Sequence, residues 1–410
     1  MNNLLIALLL LVSTVSCKNS SREKGSNPNI LADQIGNLTH LNSPADSVSA
    51  EPYLFTDKNE VVYLCWIEKT KQKSSLKFSI LNNGQWSRPL VISSGDNWFV
   101  NWADYSLIAA DGANNMIAHF LEKSEKGTYT YDIKILTSAD TGKTWSYPKI
   151  LHEDRKKAEH GFVSMIPYGE NYFISWLDGR NSVIEAGNDH EEGHHGQMTI
   201  RGAIIDKQGN KSGEWELDDR VCDCCQTSAA ITANGPIVVY RDRSDEEIRD
   251  ISIVRLINGR WTSPKPIFSD NWKIKGCPVN GPRAAAQGNN LAVAWFSSPD
   301  KMPQVNIVFS SDGGATFGKP VRVDEGNGIG RVDMVMIDEK TVIVCWMEGP
   351  MIKAAKVYSD GKKEPSMIIA SSSESRSSGF PQLTTSGDNL IFAWTDDGEK
   401  KIKVAMLNYK

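Results

Sequence analysis

The sequence predicts an all-β chain: a β-propeller of four-stranded antiparallel blades, seven in number. Two observations carry the prediction. First, one pattern recurs seven times: a run of β-branched or small apolar residues, an aromatic, one further residue, then usually an acid. It reads VVYLCWIE at Trp66, MIAHFLE at Phe120, YFISWLD at Trp176, IVVYRD at Tyr240, LAVAWFS at Trp295, VIVCWME at Trp346 and LIFAWTD at Trp394. The shortest step, Trp346 to Trp394, is 48 residues and the longest, Trp176 to Tyr240, is 64. Second, strand-like segments flank each copy, such as EPYLFTD before Trp66 and LKFSIL after it, and no segment carries the apolar period of an amphipathic helix. Self-similarity at a fixed period with four strands per unit is the signature of a propeller. The third unit is irregular, which leaves six blades as the alternative count. The seventh shows three strands up to Lys410, and a strand within residues 29–44 is expected to supply its fourth and close the ring, removing exposed edges.

One ring accounts for most of the 410 residues. Hydrophobic residues at 40% and charged residues at 23% are ordinary for a globular chain. With 45 basic against 50 acidic residues, the balance argues against a nucleic-acid partner. The N-terminus is different. Leu4 to Val12 is an apolar run of nine residues, too short to span a bilayer and suited to a signal peptide. Small residues then lead to Cys17, as in a bacterial lipobox. The expected organisation is a signal peptide over 1–16, a lipidated Cys17 with a polar tether to 29, and one propeller domain over 30–410. The expected setting is an outer-membrane or periplasmic lipoprotein, monomeric, touching the membrane through its lipid alone.

Two segments between third and fourth strands share a tighter pattern. Ser138-Ala139-Asp140-Thr141-Gly142-Lys143-Thr144-Trp145 and Ser310-Ser311-Asp312-Gly313-Gly314-Ala315-Thr316-Phe317 both read S-x-D-x-G-x-T-W/F. The physics is that of a turn: Asp bonds local amides, Gly takes positive φ, and the aromatic packs between strands. Turns joining third to fourth strands mark one face of the ring, the bottom. The top then holds the second-to-third turns and the connections between blades. The chemically distinctive residues fall there, mostly around blades three to five, and loops gathered on one face of a rigid scaffold are where sites are built.

In the connection into blade three stand His152, Asp154, Glu159 and His160. Asp178 and Arg180 follow the blade-three aromatic, and Arg241, Asp242 and Arg249 follow that of blade four. Histidine and carboxylates in one loop suit general acid–base work, so His152, Glu159, His160, Asp178 and Asp242 are the catalytic candidates. Arg180, Arg241, Arg249 and Arg283 are the candidates to bind an anionic substrate, because guanidinium pairs bidentately with carboxylate or sulfate. Cys222, Cys224 and Cys225 (CDCC) and Cys277 lie in the connections into blades four and five. His195 lies in a His-rich loop on blade three. Two readings stand side by side: a structural Zn²⁺ site drawn from His195, Cys222, Cys277 and one of Cys224 or Cys225, or disulfides among the four cysteines. Cys65, Cys345 and His119 occupy the small-residue slot before the repeated aromatic and are expected in the core.

The two Asp turns resemble the Asp-box of the sialidase, or BNR-repeat, superfamily. The segments EHGF, WLDGR, CDCCQT, YRDRS and GCPVNGP are similar to those of exported bacterial proteins of that kind. The resemblance covers residues 45–410. It implies a carbohydrate-active protein, a glycoside hydrolase or polysaccharide lyase, taking an acidic glycan at the top face. Exo-sialidases of the superfamily carry an early arginine motif and a Tyr–Glu nucleophile pair. Here the first blade reads SAEPYLFTDKN, without an arginine, and no such pair is legible. Seven-bladed lyases use a His and a Tyr, for which Tyr129 or Tyr131 is placed. The alternative is a non-catalytic glycan- or protein-binding lipoprotein whose top loops are locked by the cysteine cluster.

Overall fold

The computed structural model describes residues 38–46, 48–182 and 196–410. Cys17 and His195 lie outside the described residues. The rest form seven antiparallel sheets, each beginning at an inner strand: Ser49–Thr56, Ile108–Ala110, His160–Tyr168, Ser228–Thr232, Arg283–Gln287, Gly328–Asp338 and Gln382–Ser386. Each inner strand packs against that of the next blade, and the seventh packs against the first, so the ring is closed. The seventh blade takes its outer strand from the chain's start. Leu38–Leu41 pairs antiparallel with Lys401–Asn408, Leu38 opposite Leu407. Helix is confined, among the described residues, to two single 3₁₀ turns, Pro299–Lys301 and Arg376–Ser378.

The repeated motif is the second strand of every blade. These strands are sandwiched between neighbouring sheets, so they bury both faces and read as continuous apolar runs. All eight residues of Thr341–Glu348 are buried. The acid two residues after the aromatic points to the same side, because strand side chains alternate. It serves the buried ring: Trp176 Nε1 donates to Asp178 Oδ2 at 2.8 Å, and Trp346 Nε1 to Glu348 Oε2 at 3.1 Å. Where blade five has Ser297 instead, Trp295 Nε1 finds Asp270 Oδ2 at 2.6 Å. A buried indole N–H favours an acceptor, which the acid supplies in blades three and six; in blade one Trp66 Nε1 has none and Glu68 pairs instead with Lys77 at 2.8 Å.

The two Asp turns fold alike. Asp140 Oδ1 accepts from Thr144 N at 2.9 Å and Asp312 Oδ1 from Thr316 N at 2.9 Å, while Ser138 and Ser310 cap the glycine amides that follow. Gly142 and Gly314 take φ of 78° and 82°. Trp145 then reaches the neighbouring blade, edge-on to Phe78 at 6.2 Å. The core expectations also hold. Cys65 and Cys345 are buried free thiols. His119 is buried, accepts from Leu107 N at 3.2 Å, and is held down to about 3 by burial.

Candidate functional site

A pocket of about 270 Å³ opens on the top face. Phe99 and Trp102 reach it from the connection between blades one and two, and Tyr131 from the start of blade two's third strand. Glu159, Cys224 and Cys277 come from the connections into blades three, four and five, and Arg376 from that into blade seven. Beneath it a second cavity of about 310 Å³ fills the axial channel and is lined by the inner strands of the blades. Ala103, Asp104 and Phe162 line both, so Asp104 stands at the partition between them.

The floor of the pocket holds a carboxyl pair joined by a phenol. Tyr131 Oη lies 2.9 Å from Asp104 Oδ2 and 2.9 Å from Glu159 Oε1. A tyrosine has one hydroxyl proton, so it can donate to only one of the two; the other carboxyl must carry a proton and donate back. Asp104 Oδ1 also accepts from Phe162 N at 2.7 Å, which favours the ionised form there. Glu159 is then the acid that keeps the proton. Burial pushes Glu159 up to about 8, against the Tyr131 bond, with the Asp104 and Asp223 carboxyls adding to the rise. Burial pushes Asp104 up to about 7 against its two bonds. Burial, then both acids, hold the Tyr131 phenol well above its ordinary range, so it relays a proton without ionising. Phe99 stacks flat on Tyr131 at 4.0 Å and fixes the ring. Gly161 allows the approach: a side chain there would collide with the Asp104 carboxylate and the Tyr131 ring.

His152, His160, Asp178 and Arg180 are brought together, but behind the pocket wall. His160 Nε2 lies 2.9 Å from Asp154 Oδ2 and 3.6 Å from Asp178 Oδ1, and its Nδ1 is 3.3 Å from the Tyr131 carbonyl. With acceptors at both nitrogens the ring is an imidazolium. Burial opposes this, but the Asp154 and Asp178 carboxylates raise His160 above its usual value. His152 stacks on it at 3.5 Å, with Asp132 3.5 Å away. Arg180 closes the cluster with a two-pronged bond to Asp178, 2.8 and 2.7 Å, and a contact to Asp154 at 3.2 Å. Asp132, His152 and His160, and likewise Asp154, His160 and Asp178, are close enough to hold a metal ion, but Arg180 already supplies a cation there.

The other candidates are spread more widely. Asp242 accepts from Ser252 Oγ at 2.8 Å in blade four, away from the pocket. Arg241 is buried and committed to the carbonyls of Asn280, Arg249 and Phe296 at 2.6 to 3.1 Å. Arg249 is buried against Cys222 Sγ at 3.1 Å and Glu247 at 2.9 Å. Arg283 lines the axial cavity, 3.4 Å from Asp333. The thiols of Cys222, Cys224 and Cys225 lie close enough together to share an ion, with Cys277 near Cys224, and all four are free. Sequence reasoning missed Asp104 and Arg376. Neither belongs to a chemical motif, and it is the folding of the top-face loops that brings both to the pocket. Arg376 has no acidic partner among the described residues and lies over the Trp102 ring at 6.0 Å.

No protein-family model and no curated protein matches this chain. Among solved structures it is similar to the polysaccharide lyase Uly1, with TM-score 0.52 and 7% identity, over 90% of this chain and 91% of that one. It is similar to a puromycin-hydrolyzing peptidase of Mycobacterium tuberculosis, with TM-score 0.50 and 10% identity, over 90% and 55%. To the Hadza microbial sialidase Hz136 the TM-score is 0.42 and the identity 13%, over 73% of this chain and 63% of that one. This chain therefore spans less than two thirds of that sialidase. Fold alone does not fix chemistry, which has to be read from the site. What the likeness establishes is the fold alone, an all-β propeller, here of seven four-stranded blades.

Proposed function

We propose that the chain is a carbohydrate-active enzyme that hydrolyses an acidic glycan in the top-face pocket, with Glu159 as the general acid. The observation behind this reading is the Tyr131 hydroxyl held between two carboxyls that share one proton. Glycoside hydrolysis needs a carboxylic acid that stays protonated near neutral pH to protonate the leaving oxygen, and burial is the usual way to provide it. Glu159, raised to about 8, meets that need. Asp104 and Tyr131 act behind it: the ionised Asp104 orients the Tyr131 hydroxyl and keeps the proton on Glu159, and solvent reprotonates Glu159 after each turnover. Arg376 is the group for the glycan's carboxylate or sulfate. Trp102, Phe99 and Tyr129 offer ring faces on which sugars stack. Asp223, on the same lining, is the carboxyl for the water side of the reaction. His152, His160 and Asp178 enter as positioning residues, since His160 holds the Tyr131 backbone and follows Glu159 in the chain. The proposal keeps the exported, Cys17-anchored setting that the N-terminal sequence predicts.

The test is release of reducing ends from a panel of uronate-, sialate- and sulfate-bearing glycans. Glu159→Gln should lower turnover by about 10²- to 10⁴-fold, the range for losing a general acid, with the melting temperature at neutral pH kept or raised. Release of an unsaturated sugar would reassign the chemistry to a lyase. Saturable binding with no product from any glycan would overturn the enzyme reading in favour of a binding protein.

A further inference from the structure

We propose that Cys222, Cys224, Cys225 and Cys277 bind a thiophilic d¹⁰ metal ion, Zn²⁺ above all, in the wall of the top-face pocket. The argument is independent of the catalytic reading. Cys222 Sγ lies 3.7 Å from Cys224 Sγ and 3.6 Å from Cys225 Sγ. A tetrahedral ion with metal–sulfur bonds of ~2.3 Å sets its sulfurs roughly 3.8 Å apart, so these separations are already those of tetrahedron edges. The fourth thiol, Cys277, lies within 4.8 Å of Cys224 and donates to Asp223 Oδ1 at 3.6 Å.

Disulfides fit the cluster less well. A Cys224–Cys225 bridge would be strained, because adjacent Cα atoms are ~3.8 Å apart and disulfides usually span about 4.4 Å or more. Cys222 stands at nearly the same distance from two sulfurs and could pair with only one of them. The charge around the cluster points the same way. Arg249, 3% exposed, places its Nη1 3.1 Å from Cys222 Sγ. A neutral disulfide sulfur makes no demand for a buried guanidinium, whereas a thiolate set does. Four thiols binding Zn²⁺ release four protons to solvent and leave a net charge of −2, part of which Arg249 offsets.

The ion would fasten the connection into blade four to the connection into blade five. Cys224 and Cys277 line the pocket, so that fastening fixes one of its walls. The ligand set takes both Cys224 and Cys225 and needs no histidine from outside the described residues.

The experiment uses the full-length chain, reduced, loaded with Zn²⁺ and desalted, with metal content measured against protein. One equivalent per chain is expected. Co²⁺ in its place should give the intense visible and sulfur-to-metal charge-transfer bands of a tetrahedral thiolate site. Cys222→Ser should lose the bound ion. Cys277→Ser should yield it to a chelator that the wild type resists. The double variant Cys65→Ser/Cys345→Ser should retain one equivalent. The cobalt spectrum is read on the wild type, so a variant that fails to fold does not blunt the test. Less than stoichiometric metal on the reduced chain would overturn the proposal. So would intact mass showing two disulfides in metal-free protein from an exporting host. Neither readout involves glycan turnover, so this proposal and the enzymatic one can fail separately.

Discussion

Glu159 and His160 are consecutive residues with opposite surroundings. On the wall side, His160 and Arg180 face Asp154 and Asp178, and every charge there has an opposite neighbour within 3.6 Å. On the pocket side, Asp104 and Glu159 share one phenol and have no cation between them. The first cluster is electrostatically satisfied: its acids are held below the usual carboxylate range and its histidine above the usual imidazole value. The second is frustrated, and its acids are held near 7 and 8. Both are acid-rich, and both look alike as strings of letters. Satisfied charges make structure, whereas unsatisfied charges beside a cavity are the ones available for proton transfer.

The largest expected effect breaks the satisfied side. Asp178→Ala removes the anion from a half-buried Arg180 and a fully buried His160 and strands the Trp176 N–H. Removing one partner of a buried pair costs about 3–5 kcal/mol. A large fall in melting temperature is expected, with a loss of turnover per folded molecule smaller than that of Glu159→Gln. An unchanged melting temperature with abolished turnover would move Asp178 into the catalytic machinery.

The second effect concerns pH and opposes the first in sign. Glu159 and Asp104 are raised on folding, so the native state binds more protons than the unfolded chain above about pH 4. Their contribution to stability is full below their ordinary values and is lost as pH rises through about 7 and 8. Glu159→Gln removes a group that must ionise in a buried place. Its melting temperature should therefore overtake that of the wild type as pH rises from 5 to 9. The wall cluster behaves otherwise. The depressed Asp154 and Asp178 lose their contribution only in acid, below the ordinary carboxylate range, and His160 loses its own as pH rises past its elevated value. Parallel melting curves for wild type and Glu159→Gln across that range would remove the frustration from the pocket.

The difference between the two sides also marks what the sequence could tell. The blades were legible because each second strand buries a large ring between neighbouring sheets, which writes a similar run of apolar letters seven times. The closing strand was legible because an open seventh blade would leave an edge. The top face was legible from topology alone. Asp178 stood out because DGR departs from the repeat, yet the departure records a salt bridge. Glu159 was found through its neighbours. Its partners Asp104 and Tyr131 lie 55 and 28 residues away, and only the curvature of the ring brings them to one phenol. Arg241 was read as a ligand-binding cation because a sequence shows charge but not burial; its guanidinium is spent on backbone carbonyls.

The smallest expected effect lies on the bottom face. Asp312 is a third kind of carboxylate, half-buried yet satisfied. Burial, the largest single influence, raises it, but together the bonds from Thr316 Oγ1 at 2.6 Å, Thr316 N at 2.9 Å and Ser310 Oγ at 2.7 Å bring it down to about 2. Solvent screens these bonds, so Asp312→Asn should cost no more than about 1 kcal/mol. Turnover should not change, because the turn faces away from the pocket. A depressed carboxylate contributes above its ordinary value and loses that contribution as pH falls through about 2. The gap in melting temperature between wild type and Asp312→Asn should therefore narrow in acid. The gap produced by Glu159→Gln should move in the alkaline direction. If the Asp312 gap persisted undiminished near pH 2, the turn would owe its shape to glycine and packing, and the carboxylate would be incidental. A change in turnover would instead couple the two faces through the blade, against the separation of structure from chemistry that the two ends of the ring display.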